Sequence, residues 1–150
     1  MSAIPVLTTL TRNRIVVTGE EENQIEGVVG ATAIKPGMWV RKGTDGLYVP
    51  HPTAGGDGPV LIAKENPYNG GTVDTSYAAG DRLFIHVAEP GDVLLLRVKT
   101  GESIAIGASG ISDGAGSFKA VAGTPIKYPV IAEETITSAS SNPLKLFRVQ

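Results

Sequence analysis

The chain has no cysteine, two histidines, one tryptophan, three phenylalanines and four tyrosines among its 150 residues. Without cysteine it holds no disulfide, no thiolate zinc site and no cysteine nucleophile, a usage that suits synthesis in a reducing cytoplasm. An excess of either sign of charge is lacking: 13 Lys and Arg stand against 15 Asp and Glu, a formal net charge of −2, and no basic patch is interleaved with aromatics. Neither nucleic acid nor an anionic membrane is an expected partner. No apolar run approaches the roughly 20 residues of a membrane-spanning helix. The N-terminus lacks a basic segment followed by an apolar run and a small-residue cleavage site, so no signal peptide is expected. No long window carries the i, i+3, i+4 apolar pattern of an amphipathic helix.

Glycine and proline are plentiful, at 19 and 10 residues, while hydrophobic content stays at 41%. A disordered chain loses its apolar residues as it gains glycine and proline; this one keeps them, so they read as turns between short strands. Tyr77 to Asp92 shows the pattern best. Two Gly-Asp turns flank a segment in which Leu83, Ile85 and Val87 alternate with Arg82, Phe84 and His86, as in a half-buried strand. Arg14 to Thr18, Val93 to Val98, Tyr128 to Ala132 and Leu144 to Val149 also read as strands; Gly27 to Ile34 leads to the Lys35-Pro36-Gly37 turn, and Ser103 to Ile106 leads through Gly107 to Gly116 into a hairpin that leaves through Phe118 to Val121. Val60 to Ala63 is an apolar run expected to be buried on both faces. Asp45-Gly46 lies between Met38–Arg41 and Leu47–Val49, a hairpin signal, and Asp113-Gly114 gives another. Ile34, Gly37 and Asp45-Gly46 are echoed by Ile104, Gly107 and Asp113-Gly114 with a spacing that differs by two, which reads as a recurring hairpin style rather than a repeat. Glu20 to Glu22 reads as a solvated loop.

The residue types that chemistry needs are few. Gly110-Ile-Ser112-Asp-Gly114 matches G-x-S-x-G, but a nucleophile elbow requires a helix after the serine and a histidine later in the chain; both histidines, His51 and His86, come earlier. The glycines from Gly107 to Gly116 lack the strand–helix setting of a phosphate loop. His86, Glu89 and Asp92 straddle the Pro90-Gly91 turn and are expected to point apart, and Asp74 and Asp81 lack a calcium-loop pattern. No catalytic residue, cofactor or metal site is expected, and the chain is not read as an enzyme. Trp39 reads as a core anchor of its hairpin.

The order of His51-Pro-Thr-Ala-Gly-Gly-Asp-Gly58, Val60-Leu-Ile-Ala63, Glu65-Asn66, Gly70, Thr75 to Arg82, Ile85 and Pro90-Gly-Asp92 resembles the head decoration, or capsid cement, proteins of tailed bacteriophages. The resemblance runs on through Leu94-Leu95-Leu96, Gly101-Glu102, Ile106-Gly107, Asp113-Gly114, Phe118-Lys119 and Val130 to Glu134. It implies an all-β fold, a small β-barrel or tulip-like domain with an extended N-terminal arm. It implies a structural role without cofactor: binding the outer surface of an expanded head where major capsid protein subunits meet, often as a homotrimer, and resisting the pressure of packaged DNA.

On this reading residues 1–14 form the arm and residues 15–150 one β-rich domain. Ile4, Val6, Leu7 and Leu10 are the candidate apolar anchors of the arm, with Arg12 beside them; an extended arm adds to a partner's sheet edge through its backbone. The rival expectations are a virion-surface carbohydrate- or receptor-binding module using Trp39, Tyr48 and Tyr68, and a small β-barrel hydrolase with clustered carboxylates.

Overall fold

The computed structural model describes residues 14–121, 129–137 and 139–150. These contain eleven strands and no helix: β1 (Val16–Thr18), β2 (Gln24–Val28), β3 (Val40–Lys42), β4 (Tyr48–Pro50), β5 (Leu61–Ala63), β6 (Arg82–Val87), β7 (Val93–Arg97), β8 (Ser109–Ser112), β9 (Phe118–Ala120), β10 (Val130–Ala132) and β11 (Leu144–Val149). They form a six-stranded sheet in the order β1-β7-β11-β10-β8-β9, a three-stranded sheet β2-β6-β5 and the hairpin β3-β4, all paired antiparallel. The all-β reading holds, and both Asp-Gly hairpins form. Glycine is required at Gly37 and Gly107, where φ is +92° and +85°, a region side chains with a Cβ rarely enter.

Three expectations are corrected. First, no closed barrel forms: β1 takes the outer edge of β7, so β9 reaches only its end, through the parallel bridge Val98–Phe118. Second, the hairpin expected to enter through Ser103–Ile106 is tighter: its first strand is β8, Ser109–Ser112, and Ile104 makes only a single bridge to Ile136. Third, β6 is buried on both faces rather than one: Phe84 lies under the Tyr68 ring, with centroids 5.3 Å apart, and His86 lies under the Asp92 turn.

The strand pairings reveal an internal duplication that the sequence hides. Strands β2 to β6 make one unit and β7 to β11 a second, element for element. The β2-β6-β5 pairing, with Val28 opposite Arg82 and Ala63 opposite Ile85, is matched by β7-β11-β10, with Arg97 opposite Leu144 and Ala132 opposite Phe147. The hairpins β3-β4 and β8-β9 correspond, and the Trp39–Ile62 bridge stands where β8 pairs with β10.

The irregular bonds repeat as well. Ile34 exchanges both backbone bonds with Tyr77 at 3.1 and 2.8 Å, and Ile104 does so with Ile136 at 2.9 and 2.8 Å. Gly37 N–H donates to Ala63 O and Gly107 N–H to Ala132 O, each at 2.8 Å. Val29 bridges Tyr48 in parallel as Val98 bridges Phe118. The echo between the two hairpins is thus the trace of a duplicated fold.

Two apolar clusters follow the units. The smaller gathers Val29, Ile34, Val40, Tyr48, Ala63, Tyr77, Leu83, Phe84 and Ile85. The larger is centred on Leu94, Leu95, Leu96, Phe118 and Phe147 and also takes in Ile15, Trp39 and Ile62 from the chain before the second unit. Trp39 joins the two: its ring stacks on Phe118 with centroids 5.5 Å apart and planes 6° apart, and its indole N–H donates to Pro59 O at 2.9 Å.

Candidate functional site

The anchors read from the sequence, Ile4, Val6, Leu7, Leu10 and Arg12, lie outside the described residues, as does most of the arm. Its root is described and firmly held. Ile15 is fully buried; its carbonyl accepts the Leu95 N–H at 2.8 Å, and its own N–H donates to Glu65 Oε2 at 3.1 Å. Arg14 is ion-paired with Glu21. Whatever the arm carries is therefore tied to the edge of the six-stranded sheet.

Exposed large hydrophobic side chains among the described residues are Ile25, Val28, Tyr68 and Ile106. Two of the four sit on β2, an edge strand of five residues. Of the three aromatics nominated for a carbohydrate platform, only Tyr68 is exposed, at 81%; Trp39 and Tyr48 are core residues at 1% and 6%. The Tyr48 ring lies so close over Gly27 that a Cβ there would fall 2.3 Å from it. Trp39 is the core anchor its hairpin position suggests.

His86 and Asp92, expected to point apart across the Pro90-Gly91 turn, instead meet, because the turn folds the Asp92 carboxylate back onto the buried His86 ring. Asp92 Oδ2 accepts from His86 Nε2 at 2.8 Å and from Glu89 N–H at 3.0 Å, closing the Glu89–Asp92 turn. The Glu89 carboxylate turns away to the Asn23 amide. Asp81 Oδ2 accepts the Ala78 N–H at 2.8 Å, while Asp74 faces Arg97 at 3.3 Å. A hollow of about 160 Å³ beside Tyr77 is lined by Asn66, Asn69, Ser76, Asp81 and Arg82; Arg82 pairs with Glu26. The second hollow, about 380 Å³, is a shallow apolar trough between Val49, Pro50, Pro52 and Ala115.

Ser112 and His51 meet, which chain order alone argued against. His51 Nδ1 lies 3.0 Å from Ser112 Oγ, and Nε2 lies 3.0 Å from Asp57 O. A carbonyl can only accept, so Nε2 carries a proton, and in the neutral ring Nδ1 then accepts from the serine hydroxyl. Ser112 Oγ accepts in turn from Gly114 N–H at 3.1 Å. Both residues are almost wholly buried, with the His51 ring 4.1 Å from Trp39. The pair latches the β8-β9 hairpin to the Gly-rich loop after His51, and the segment after Ser112 is a turn and a strand, not a helix.

Arg97 is the functional-looking residue that sequence reasoning missed. It is 4% exposed. Its Nε donates to Pro36 O at 2.9 Å, Nη1 to Asn142 O at 3.1 Å, and Nη2 to Val73 O at 2.5 Å and Asp74 Oδ1 at 3.3 Å. One guanidinium thus joins two loops of the first unit to a loop of the second. Its only sequence signal was a charged residue closing the apolar run from Val93. Tyr77 is buried, its hydroxyl donating to Lys64 O at 2.6 Å. Burial pushes its pKa up to about 12, and the nearby Glu65 and Asp81 carboxylates act in the same direction.

The described residues thus form a duplicated, antiparallel all-β module with buried polar latches, a firmly held start at Ile15, and an edge strand, β2, that exposes Ile25 and Val28. No protein-family model matches the chain, and no curated protein matches it. Among solved structures it is similar to the head fiber gp8.5 N base of bacteriophage phi29, with a TM-score of 0.54 and 11% sequence identity, over 85% of this chain and 94% of that one. At that identity the likeness is one of fold.

Proposed function

We propose that this protein is a non-catalytic structural component of a tailed-bacteriophage virion. It sits on the outer surface of the expanded head, at junctions between major capsid protein subunits, and stabilises the shell against internal DNA pressure. The observation that carries the reading is the fold shared with a phage head-fiber base over nearly the whole of both chains, which agrees with the order of the Gly-Asp motifs. The interior supports it: the buried histidine, serine and arginine side chains are engaged in holding loops together. We propose a homotrimer on the capsid, made in the host cytoplasm, with the arm residues Ile4, Val6, Leu7, Leu10 and Arg12 as shell anchors. Many weak copies acting together suit this role, because linked contacts multiply.

Co-sedimentation with expanded heads tests it. The full chain is expected to pellet with heads, and a chain lacking residues 1–12 is expected to stay folded and remain in the supernatant. Full occupancy by the shortened chain would remove the arm from the reading. Failure of the full chain to bind would remove the capsid.

A further inference from the structure

The duplication makes a precise comparison possible between two sheet edges. Along β7, the second unit's first strand, and just past its end, three outward N–H groups are used: Leu95 N–H donates to Ile15 O at 2.8 Å, Arg97 N–H to Gly37 O at 3.0 Å and Lys99 N–H to Phe118 O at 2.8 Å. The first of these partners belongs to β1 and its root, a strand from the N-terminal leader. The equivalent strand of the first unit is β2. Asn23 accepts from Val87 N–H and Val29 donates to Asp81 O, so alternation turns the backbone groups of Glu26 and Val28 outward. Gly30 N–H, the next outward group, donates to Tyr48 O at 2.8 Å, as Lys99 does to Phe118. Along Gln24–Val28, however, no described strand lies where β1 lies on β7.

This edge carries few of the usual safeguards: its one charge, Glu26, is taken up by an ion pair with Arg82 of the neighbouring β6. β2 has no proline and no lysine, and it exposes Ile25 at 38% and Val28 at 43%. Natural edge strands normally carry such devices, because an open edge templates pairing with another strand. The leader sequence in turn has a period-two pattern to offer at Ile4, Val6, Thr8 and Leu10, with Pro5 fitting a strand only where its position needs no N–H. Its root is committed to the second unit through Ile15. Within the chain, then, it is the strand after the leader, β1 with Ile15, that covers the edge of the second unit, the one that does not follow it directly. A leader segment that donates and a β2 edge that accepts, on each chain, define a head-to-tail contact, which makes a ring when the rotation between copies closes.

We infer that residues 4–10 of one copy add as an antiparallel strand to the β2 edge of a second copy, opposite Ile25 to Val28, in the place that β1 holds on β7. This deepens the role given to the arm. A strand has two edges, so pairing one with β2 leaves the other edge, and the arm's second face, toward the shell.

The test uses the absence of native cysteine. An affinity-tagged Val6→Cys chain and an untagged Ile25→Cys chain are mixed and treated with a short bismaleimide. A covalent tagged–untagged pair is expected as the main product. In the unsubstituted chain, the Glu26 and Val28 amides are expected to exchange at least tenfold more slowly at high than at low protein concentration. That protection is expected to vanish in a chain lacking residues 1–12. Crosslinking only within a doubly substituted chain, with none between mixed chains, would assign the edge to the chain's own arm and overturn the inference. Fast exchange of Glu26 and Val28 at every concentration would overturn it even if a cysteine variant failed to fold. Both measurements are made without heads, so arm exchange without head binding would sink only the capsid proposal, and head binding without arm exchange only this one.

Discussion

The two units solve one packing problem with different residues. Where the first unit sets Val40 against Ile85 in its core, the second sets Gly110 beneath Phe147, whose ring lies 3.2 Å from where a Cβ would stand. Where the first leaves Gly27 bare under Tyr48, the second fills the matching place with Leu96 beside Phe118. Small opposite large recurs with the sizes exchanged, and summed volume is what a core must conserve. The difference teaches why the repeat is visible in the hydrogen bonds and not in the letters. The backbone pattern is fixed by turns, whereas side chains drift in compensating pairs.

The sharpest break between the units is at one equivalent position. Val28 in the first is an exposed edge residue; Arg97 in the second is buried and ties both units together. Replacing Arg97 by Met leaves the buried Pro36 and Val73 carbonyls without their donor and is expected to cost about 3–5 kcal/mol. Urea unfolding should show it as a lower midpoint. Arg97→Lys should recover little, since an ammonium does not reproduce the planar fork.

The core exchange is sharpened by moving the first unit's pair into the second. Gly110→Val and Phe147→Ile are each expected to destabilise by about 1–3 kcal/mol, by overpacking and by a cavity. The double variant should cost less than the two together, with a coupling of about 0.5–3 kcal/mol. Strict additivity in a double-mutant cycle would mean that the units do not share a packing rule.

Alkali separates the units next. Tyr77 of the first unit stands where the second has Ile136, each paired to its own isoleucine, Ile34 or Ile104. The folded state raises the tyrosine's pKa from 10.0 to about 12, so folding favours the neutral phenol. That contribution is complete below pH 10, declines above it and is gone once the pH passes about 12. Amide exchange should therefore show the first unit loosening before the second between those values, and Tyr77→Phe should remove the difference. The smallest effect belongs to Val28→Ser, expected to shift the stability of the dilute chain by no more than about 0.5 kcal/mol.

Much of the fold was legible because turn chemistry is local. Asp45-Gly46, Asp113-Gly114, Gly80-Asp81 and Gly91-Asp92 each mark a connection whose backbone needs are written in two letters. Burial of both faces of β6 was not legible, since it depends on Tyr68 and Asp92 folding back over Phe84 and His86. The meeting of His51 with Ser112 and the four contacts of Arg97 join residues far apart in the chain, which no spacing rule reaches. The barrel expectation failed for a similar reason: nothing in Val16–Thr18 announces that this short strand takes the edge that closure would need.

The most direct measurement of the account is electron microscopy of expanded heads with and without the purified full-length protein. Added density is expected on the outer surface at subunit junctions, in a fixed number of copies per head, together with greater resistance of the particles to heat. Bare heads at saturating protein, or particles equally robust without it, would contradict the account.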